Sequence, residues 1–205
     1  LENNEDTGTL QYLASTAMEA GFSTRVLDMQ ALDLQNGRFF DPAGELVNRC
    51  FKLYPWEWMV DESPDGCLAE MEWLEPIWKL VMSNKAILAT LYELFPDSPY
   101  VLPCYLSRPR SGLFCKKPVF SREGHNVSVV DIRNWEEHVR IAETEGDYNT
   151  GAYVYQEYVE PTVYSGRYPV IGSWIIGGEA AGIGIRENRM EVTDNLSEFV
   201  PHIIG

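Results

Sequence analysis

An α/β fold of the α+β kind, with mixed and antiparallel sheets and flanking helices, is predicted by three features of this sequence. The chain opens with a helix-periodic stretch that a glycine closes and an apolar run follows. Beyond Pro103 nearly every segment alternates or runs apolar between Gly and Pro punctuation, the pattern of short strands. Finally, 205 residues with 45% hydrophobic content and 6 Trp, 11 Tyr and 8 Phe suffice for one sizeable core or two small lobes.

From Asp6 to Ala20, "DTGTLQYLASTAMEA" sets Leu10, Leu13, Ala14 and Ala17 on one helical face, and Gly21 stops it. "FSTRVLDMQAL" then reads as a strand and a turn. In "GRFFDPAGELVNRCFKLYPWEWMVDE" the turn residues Asp41-Pro42-Ala43-Gly44 separate two apolar runs, so a hairpin is expected. "LEPIWKLVMSNKAILATLYELFP" holds a helix capped by Ser83, carrying Ala86, Ile87, Leu91 and Leu94 and ended by Pro96. Lys85 falls in its first turn, where the helix dipole disfavours a cation by roughly a few tenths of a kcal/mol. "CKKPVF", "NVSVVD", "YVYQEYVE" and "YPVIGSWIIGGEAAGIGIR" read as strands, and "RNWEEHVRIAETEG" is the helix candidate among them.

Composition narrows the function. A formal net charge of −15 repels phosphodiester backbones, so no nucleic-acid partner is expected; the same charge keeps a protein soluble. Cys50, Cys67, Cys104 and Cys115 form no C-x-x-C pair, and His125, His138 and His202 are too dispersed for a zinc site. With no leader-like or bilayer-length apolar run, a soluble, reduced, cytoplasmic protein without a membrane partner is expected.

Two common phosphate-binding patterns are missing. There is no G-x-x-x-x-G-K-[ST], and "GIGIRE" lacks the third glycine of a dinucleotide fingerprint. The candidate that remains is "LFCKKPVFSREGHNVSVVD", where Lys117 ends a strand and a glycine-containing polar turn leads into the next. Backbone N–H groups of such a loop can wrap phosphate oxygens while a lysine at its base supplies a point charge, although a lysine beside a hairpin turn is commonly just solvated. In "YVYQEYVE", Gln156 offers a donor and an acceptor to an adenine edge and Glu157 can take a ribose hydroxyl; an edge strand with two outward polar residues fits equally. Arg186, after the small residues of "IGGEAAGIGIRE", is a rigid fork for phosphate or carboxylate, or an ordinary surface arginine.

Taken in order, "FKLYPWEWMVDE", "EPIWKLVMSNKAIL", "KKPVFSREGHNVS", "YVYQEY", "YPVIGSWIIGGEAAGIGIRE" and "TDNLSEFVPHII" resemble the C-terminal half of the glutathionylspermidine synthase family, and within it the stand-alone bacterial acid–amine ligases. The resemblance implies an ATP-grasp fold, and an ATP-dependent ligase that joins a carboxylate to an amine through an acyl phosphate. Residues 1–205 would be the C-terminal portion of that domain, divisible into lobes 1–82 and 83–205. Position by position it implies Lys85 as the first ATP lysine and Lys117 as the second, with Gly124 closing over the phosphates a loop, Ser121 to Asn126, that is mobile without nucleotide. It implies Gln156 on the strand bordering adenine, Glu157 and Tyr158 in the hinge at base and ribose, and Glu191 as a further contact. Arg186 would stabilise charge at the transferring phosphate, and Lys116 is a solvent-facing neighbour without a role.

The implied cofactors are ATP and Mg2+, with the magnesium ligands upstream of these motifs and none in this chain; Glu2 and Asn4 mimic the ligand spacing by coincidence. The chain would then be a fragment, inactive alone. The implied partners are a glutathione-like acid and a polyamine-like amine. Two rivals stand beside this reading: a nucleotide-binding or interaction module without ligase activity, and a thiol amidase using Cys115, disfavoured because no partner base accompanies that cysteine.

Overall fold

The computed structural model describes residues 4–141, 143–148, 151–194 and 197–203. The chain divides into two compact units, Leu1–Met82 and Ser83–Gly205. The architecture is mixed α/β, with several antiparallel sheets and few helices, consistent with a partial ATP-grasp-like domain.

In the first unit, helix α1 spans Asn4–Glu19, and Leu10, Leu13, Ala14 and Ala17 are on its less exposed side. Strands β1 (Asp33–Gln35), β2 (Arg38–Phe40) and β3 (Leu46–Val47) form an antiparallel sheet in that order. The β1–β2 turn is Asn36-Gly37 with φ of 50° and 74°, a pair whose left-handed backbone matches the twist of the flanking strands. The expected Asp41–Gly44 turn joins β2 to β3. Buried Asp41 organises it, accepting from the N–H groups of Ala43 and Glu45 at 2.9 Å each while pairing with Arg25. Strand β4 (Arg49–Phe51) pairs in parallel with β5 (Glu72–Leu74), and helices α2 (Trp56–Glu62) and α3 (Pro64–Cys67) lie between them in sequence. The core is Phe39, Trp56, Met59, Cys67 and Trp73, in which Trp73 meets Phe39 and Trp56 edge-on at 5.7 and 5.4 Å.

The strand expected in "FSTRVLDMQAL" does not form. Phe22 and Val26 are exposed and no neighbouring strand accepts them, so the segment stays irregular up to a short 3-10 turn at Met29–Ala31 that Asp28 caps.

In the second unit, helix α4 (Ala86–Leu94) is shorter than expected. The Asn84 carboxamide accepts the Ala86 N–H at 2.8 Å, and Lys85 precedes the first turn instead of occupying it. Its inner side is Ala89 with Leu88 and Tyr92, packed on Cys104 and Val154; Leu94 is exposed. Strands β6 (Cys104–Tyr105), β7 (Gly112–Pro118), β8 (Ser128–Arg133), β9 (Glu136–Ile141) and β10 (Tyr153–Glu157) make an antiparallel sheet ordered β6-β10-β7-β8-β9. A second antiparallel sheet follows: β11 (Tyr168–Ile176), β12 (Glu179–Asn188) and β13 (Glu198–Val200).

The helix expected over "RNWEEHVRIAETEG" is instead the turn of a hairpin and its second strand. Asn134 and Trp135 take left-handed φ of 51° and 71°, the turn geometry that matches strand twist, and Arg133 to Val129 pair with Glu136 to Ile141. Trp135 and Val139, four apart as on a helical face, are both exposed, so no apolar stripe packs here.

Candidate functional site

Strand alternation decides what the two adjacent lysines do. Lys117 lies opposite Val154 and shares its sheet face with Cys115, Cys104 and Gln156, whereas Lys116 lies opposite Tyr155 on the other face. The Lys117 ammonium donates to Gln156 Oε1 at 2.7 Å.

Lys116 is not solvent-facing: only 22% of its side chain is exposed, over the Tyr153 ring at 4.7 Å and paired with Glu137 at 2.9 Å. The solvent-facing reading ignored β9, which brings Glu137 opposite Ile132 on the same face. Glu137 also accepts the Tyr155 hydroxyl at 2.8 Å and pairs with Arg108 at 3.3 Å. Burial alone would raise the Glu137 carboxyl, but hydrogen bonds from Lys116 and Tyr155 and the Lys116 and Arg108 charges overcome it and hold the carboxyl below its usual range. Burial and the same carboxylate push the Tyr155 phenol up to about 12.

Lys85 reaches the loop that follows β7. Its backbone N–H donates to Val119 O at 2.9 Å, and its ammonium donates to the carbonyl and, at 2.8 Å, the hydroxyl of Ser121. Further along, Gly124 has a φ of 74°, and a Cβ there would sit 2.1 Å from the Thr193 carbonyl oxygen. Thr144 backs the loop: its hydroxyl donates to Gly124 O and accepts the Val127 N–H at 2.9 Å. Asn126, 4% exposed, accepts the Tyr148 N–H at 2.8 Å and donates to Glu143 at 3.2 Å.

At the end of β10, Glu157 N–H donates to Pro103 O at 2.7 Å and Tyr158 N–H to Leu113 O at 3.0 Å. The Tyr158 hydroxyl donates to the Glu191 carboxylate; burial and that carboxylate push the phenol up to about 12. Arg186 is on β12, its guanidinium carbon 5.9 Å from the centre of the Phe199 ring. Thus Lys85, Lys117, Gln156 and Gly124 gather around one hairpin, Tyr158 and Glu191 meet, and Arg186 belongs to the other sheet.

Sequence reasoning missed Ser121, Asn126, Glu137, Thr144 and Thr193 as supports of this site. Ser121 and Asn126 were inside the quoted loop, but Glu137 and Thr144 lay in the segment read as a helix, which hid their alignment.

Burial pushes the Cys115 thiol up and the Lys117 charge only partly offsets it, which disfavours the thiolate a nucleophile needs. A depression of about 250 Å3 lined by Gln35, Asn36, Arg38, Phe40 and Glu70 lies within the first unit and contains no candidate residue. Among the described residues there is no group of three or more His, Cys, Asp or Glu arranged to hold a metal ion, and no helix long and apolar enough to cross a membrane. Glu2 lies outside the described residues, and Asn4 begins α1.

Comparison with known proteins decides the family. The glutathionylspermidine synthase preATP-grasp family matches residues 1–205, and a Haemophilus influenzae protein that carries the name acid–amine ligase is 36% identical over 97% of this chain. The chain belongs to the glutathionylspermidine synthase preATP-grasp family. Other family relatives are the trypanothione synthetase of Crithidia fasciculata, 36% identical over 62% of the chain, and the bifunctional glutathionylspermidine synthetase/amidase of Escherichia coli, 26% identical over 95%. The chain spans 53% of the Haemophilus relative's length, 19% of the Crithidia one and 36% of the Escherichia one.

The donor set fits the polyphosphate of ATP. A lysine held by a neutral amide, a second lysine at the loop entrance and a glycine with no room for a Cβ are groups that accept an anion against backbone.

Proposed function

We propose that this chain supplies the nucleotide-contacting residues of an ATP-dependent carboxylate–amine ligase. The observation that carries the reading is the unequal holding of the two lysines. Lys116 is tied to a carboxylate that also serves Tyr155 and Arg108, while Lys117 rests on the neutral Gln156 amide, which an anion can outcompete. ATP, when bound, supplies the phosphoryl group that activates the substrate carboxylate as an acyl phosphate for attack by the amine.

The chain's part is positioning and charge neutralisation, the main demands of phosphoryl transfer. Lys117 and Lys85 neutralise phosphate oxygens, and the Gly124 loop covers them. Gln156 offers its amide to the adenine edge, Glu157 and Tyr158 meet base and ribose, and Glu191 orients the Tyr158 hydroxyl. Arg186 stabilises charge at the transferring phosphate. Magnesium would be held by carboxylates outside these motifs and would neutralise charge on the phosphates. A reduced cytoplasmic setting and a division of one ligase domain into lobes 1–82 and 83–205 complete the proposal. The acid is glutathione-like and the amine polyamine-like, as the names of the Crithidia and Escherichia relatives support.

The test is ADP formation by the longest natural form of the protein, scored over glutathione-like acids and polyamines, beside calorimetric titration of ADP into this chain. Acid- and amine-dependent ADP release supports the ligase; ADP binding without turnover on any pair would favour a nucleotide-binding module instead.

A further inference from the structure

Thr144 makes more contacts to the β7–β8 loop than its place in an irregular segment requires. Its backbone N–H donates to Val127 O at 3.0 Å and its carbonyl accepts the Asn126 N–H at 3.2 Å, so it pairs with the loop as a strand would. Its hydroxyl is used twice more, accepting from the Val127 N–H and donating to Gly124 O. One residue thereby holds the loop backbone at three positions, 124, 126 and 127. Asn126 completes the hold from the loop side. Buried, and with a left-handed φ of 53°, it reaches across to Tyr148 N–H and to Glu143, the segment that carries Thr144. The Gly124 carbonyl is turned toward Thr144, and a Cβ on Gly124 would run into the Thr193 carbonyl.

We infer that Thr144 and Asn126 are positioning residues for phosphate binding: against the mobile Ser121 to Asn126 loop expected from the sequence, they fix the loop backbone at Gly124–Val127 before a nucleotide arrives. The inference rests on the proposed nucleotide-binding reading and deepens it. A loop already held in its bound shape loses less conformational freedom on binding, which is the general route by which preorganisation raises affinity. Neither side chain need touch the ligand. Their effect should therefore follow the phosphates and not the base, since the base-contacting residues on β10 and after it are held by other bonds.

Thr144→Val keeps the shape and branching and removes the hydroxyl; Thr144→Ser keeps the hydroxyl. Asn126→Asp keeps the acceptor for Tyr148 N–H but sets a carboxylate against Glu143. Calorimetric titration of this chain with ADP and with adenosine, together with hydrogen exchange of the loop amides, reads all three. The expected result for Thr144→Val and Asn126→Asp is a loss of ADP affinity of roughly threefold to tenfold, as for one or two net hydrogen bonds. Adenosine affinity should be unchanged, exchange at 124–127 faster, and Thr144→Ser close to the unsubstituted chain. Equal ADP affinities for Thr144→Val and the unsubstituted chain would overturn the inference, as would an equal loss for ADP and adenosine, which marks a general folding role. If the unsubstituted chain binds neither ligand, the nucleotide reading itself fails and takes this inference with it.

Discussion

Lys116 and Lys117 are neighbours on β7 whose ammonium groups end on opposite faces of one sheet, one on the Glu137 carboxylate at 2.9 Å and the other on the Gln156 amide at 2.7 Å. Lys117→Ala should therefore weaken ADP binding by about 1.5–3 kcal/mol, the size of a charge-assisted contact, with little change in folding stability. Lys116→Ala should do the reverse, since it strips a largely buried carboxylate of its lysine. Calorimetric titration and urea unfolding of both variants check this; equal losses of ADP affinity would refute the assignment.

Glu137 makes the fold sensitive to acid. Its folded pKa is depressed below the unfolded value, so its contribution is present above the ordinary glutamate range, about 4.3, and is lost as pH falls through the lower folded value. The stability difference between the unsubstituted chain and Glu137→Gln should be largest near neutrality and shrink as pH falls below the ordinary glutamate range. Urea midpoints measured across that range give the result directly.

Two glycines share a φ of 74° in different surroundings. A Cβ at Gly37 meets nothing within 4 Å, while one at Gly124 would lie 2.1 Å from the Thr193 carbonyl. Gly37→Ala should cost only the left-handed backbone penalty, about 1 kcal/mol. Gly124→Ala should cost more and also lower ADP affinity, because the loop must leave its seat. Thermal unfolding and ADP titration of both variants separate strain from collision.

If the amine substrate is polycationic, the −15 net charge should raise its concentration near the protein. Its KM should then rise with salt, as the Debye length falls from about 10 Å at 0.1 M to about 3 Å at 1 M. A constant that stays flat, after correction for the matching change with ATP, would leave the acidic surface a role in solubility alone.

The strands of the second unit were legible because their period of two is local and their Gly and Pro boundaries are sharp. Around Trp135 the reading failed for a physical reason. Its spacing to Val139 fits a helix, but the chain reverses at Asn134 and Trp135, and only pairing with β8 reveals that. Lys117 and Gly124 could be placed on one hairpin from sequence because β7, β8 and their loop are contiguous, while Gln156 joins them from β10. What holds them could not: Glu137 and Thr144 come from the misread stretch, and Thr193 from beyond the second hairpin. Likewise, which way Lys116 points depends on β9, not on β7.

The seat of Gly124 is a peptide carbonyl, not a side chain. Every amino acid at position 193 brings that same oxygen, so substitution there leaves the obstacle in place. The tolerance of the two partners to mutation is thus lopsided: in a saturation library, position 193 should accept many residues while position 124 accepts few. No second change at 193 should rescue a bulkier residue at 124; rescue should come instead from insertions or deletions between β12 and β13 that shift the backbone away.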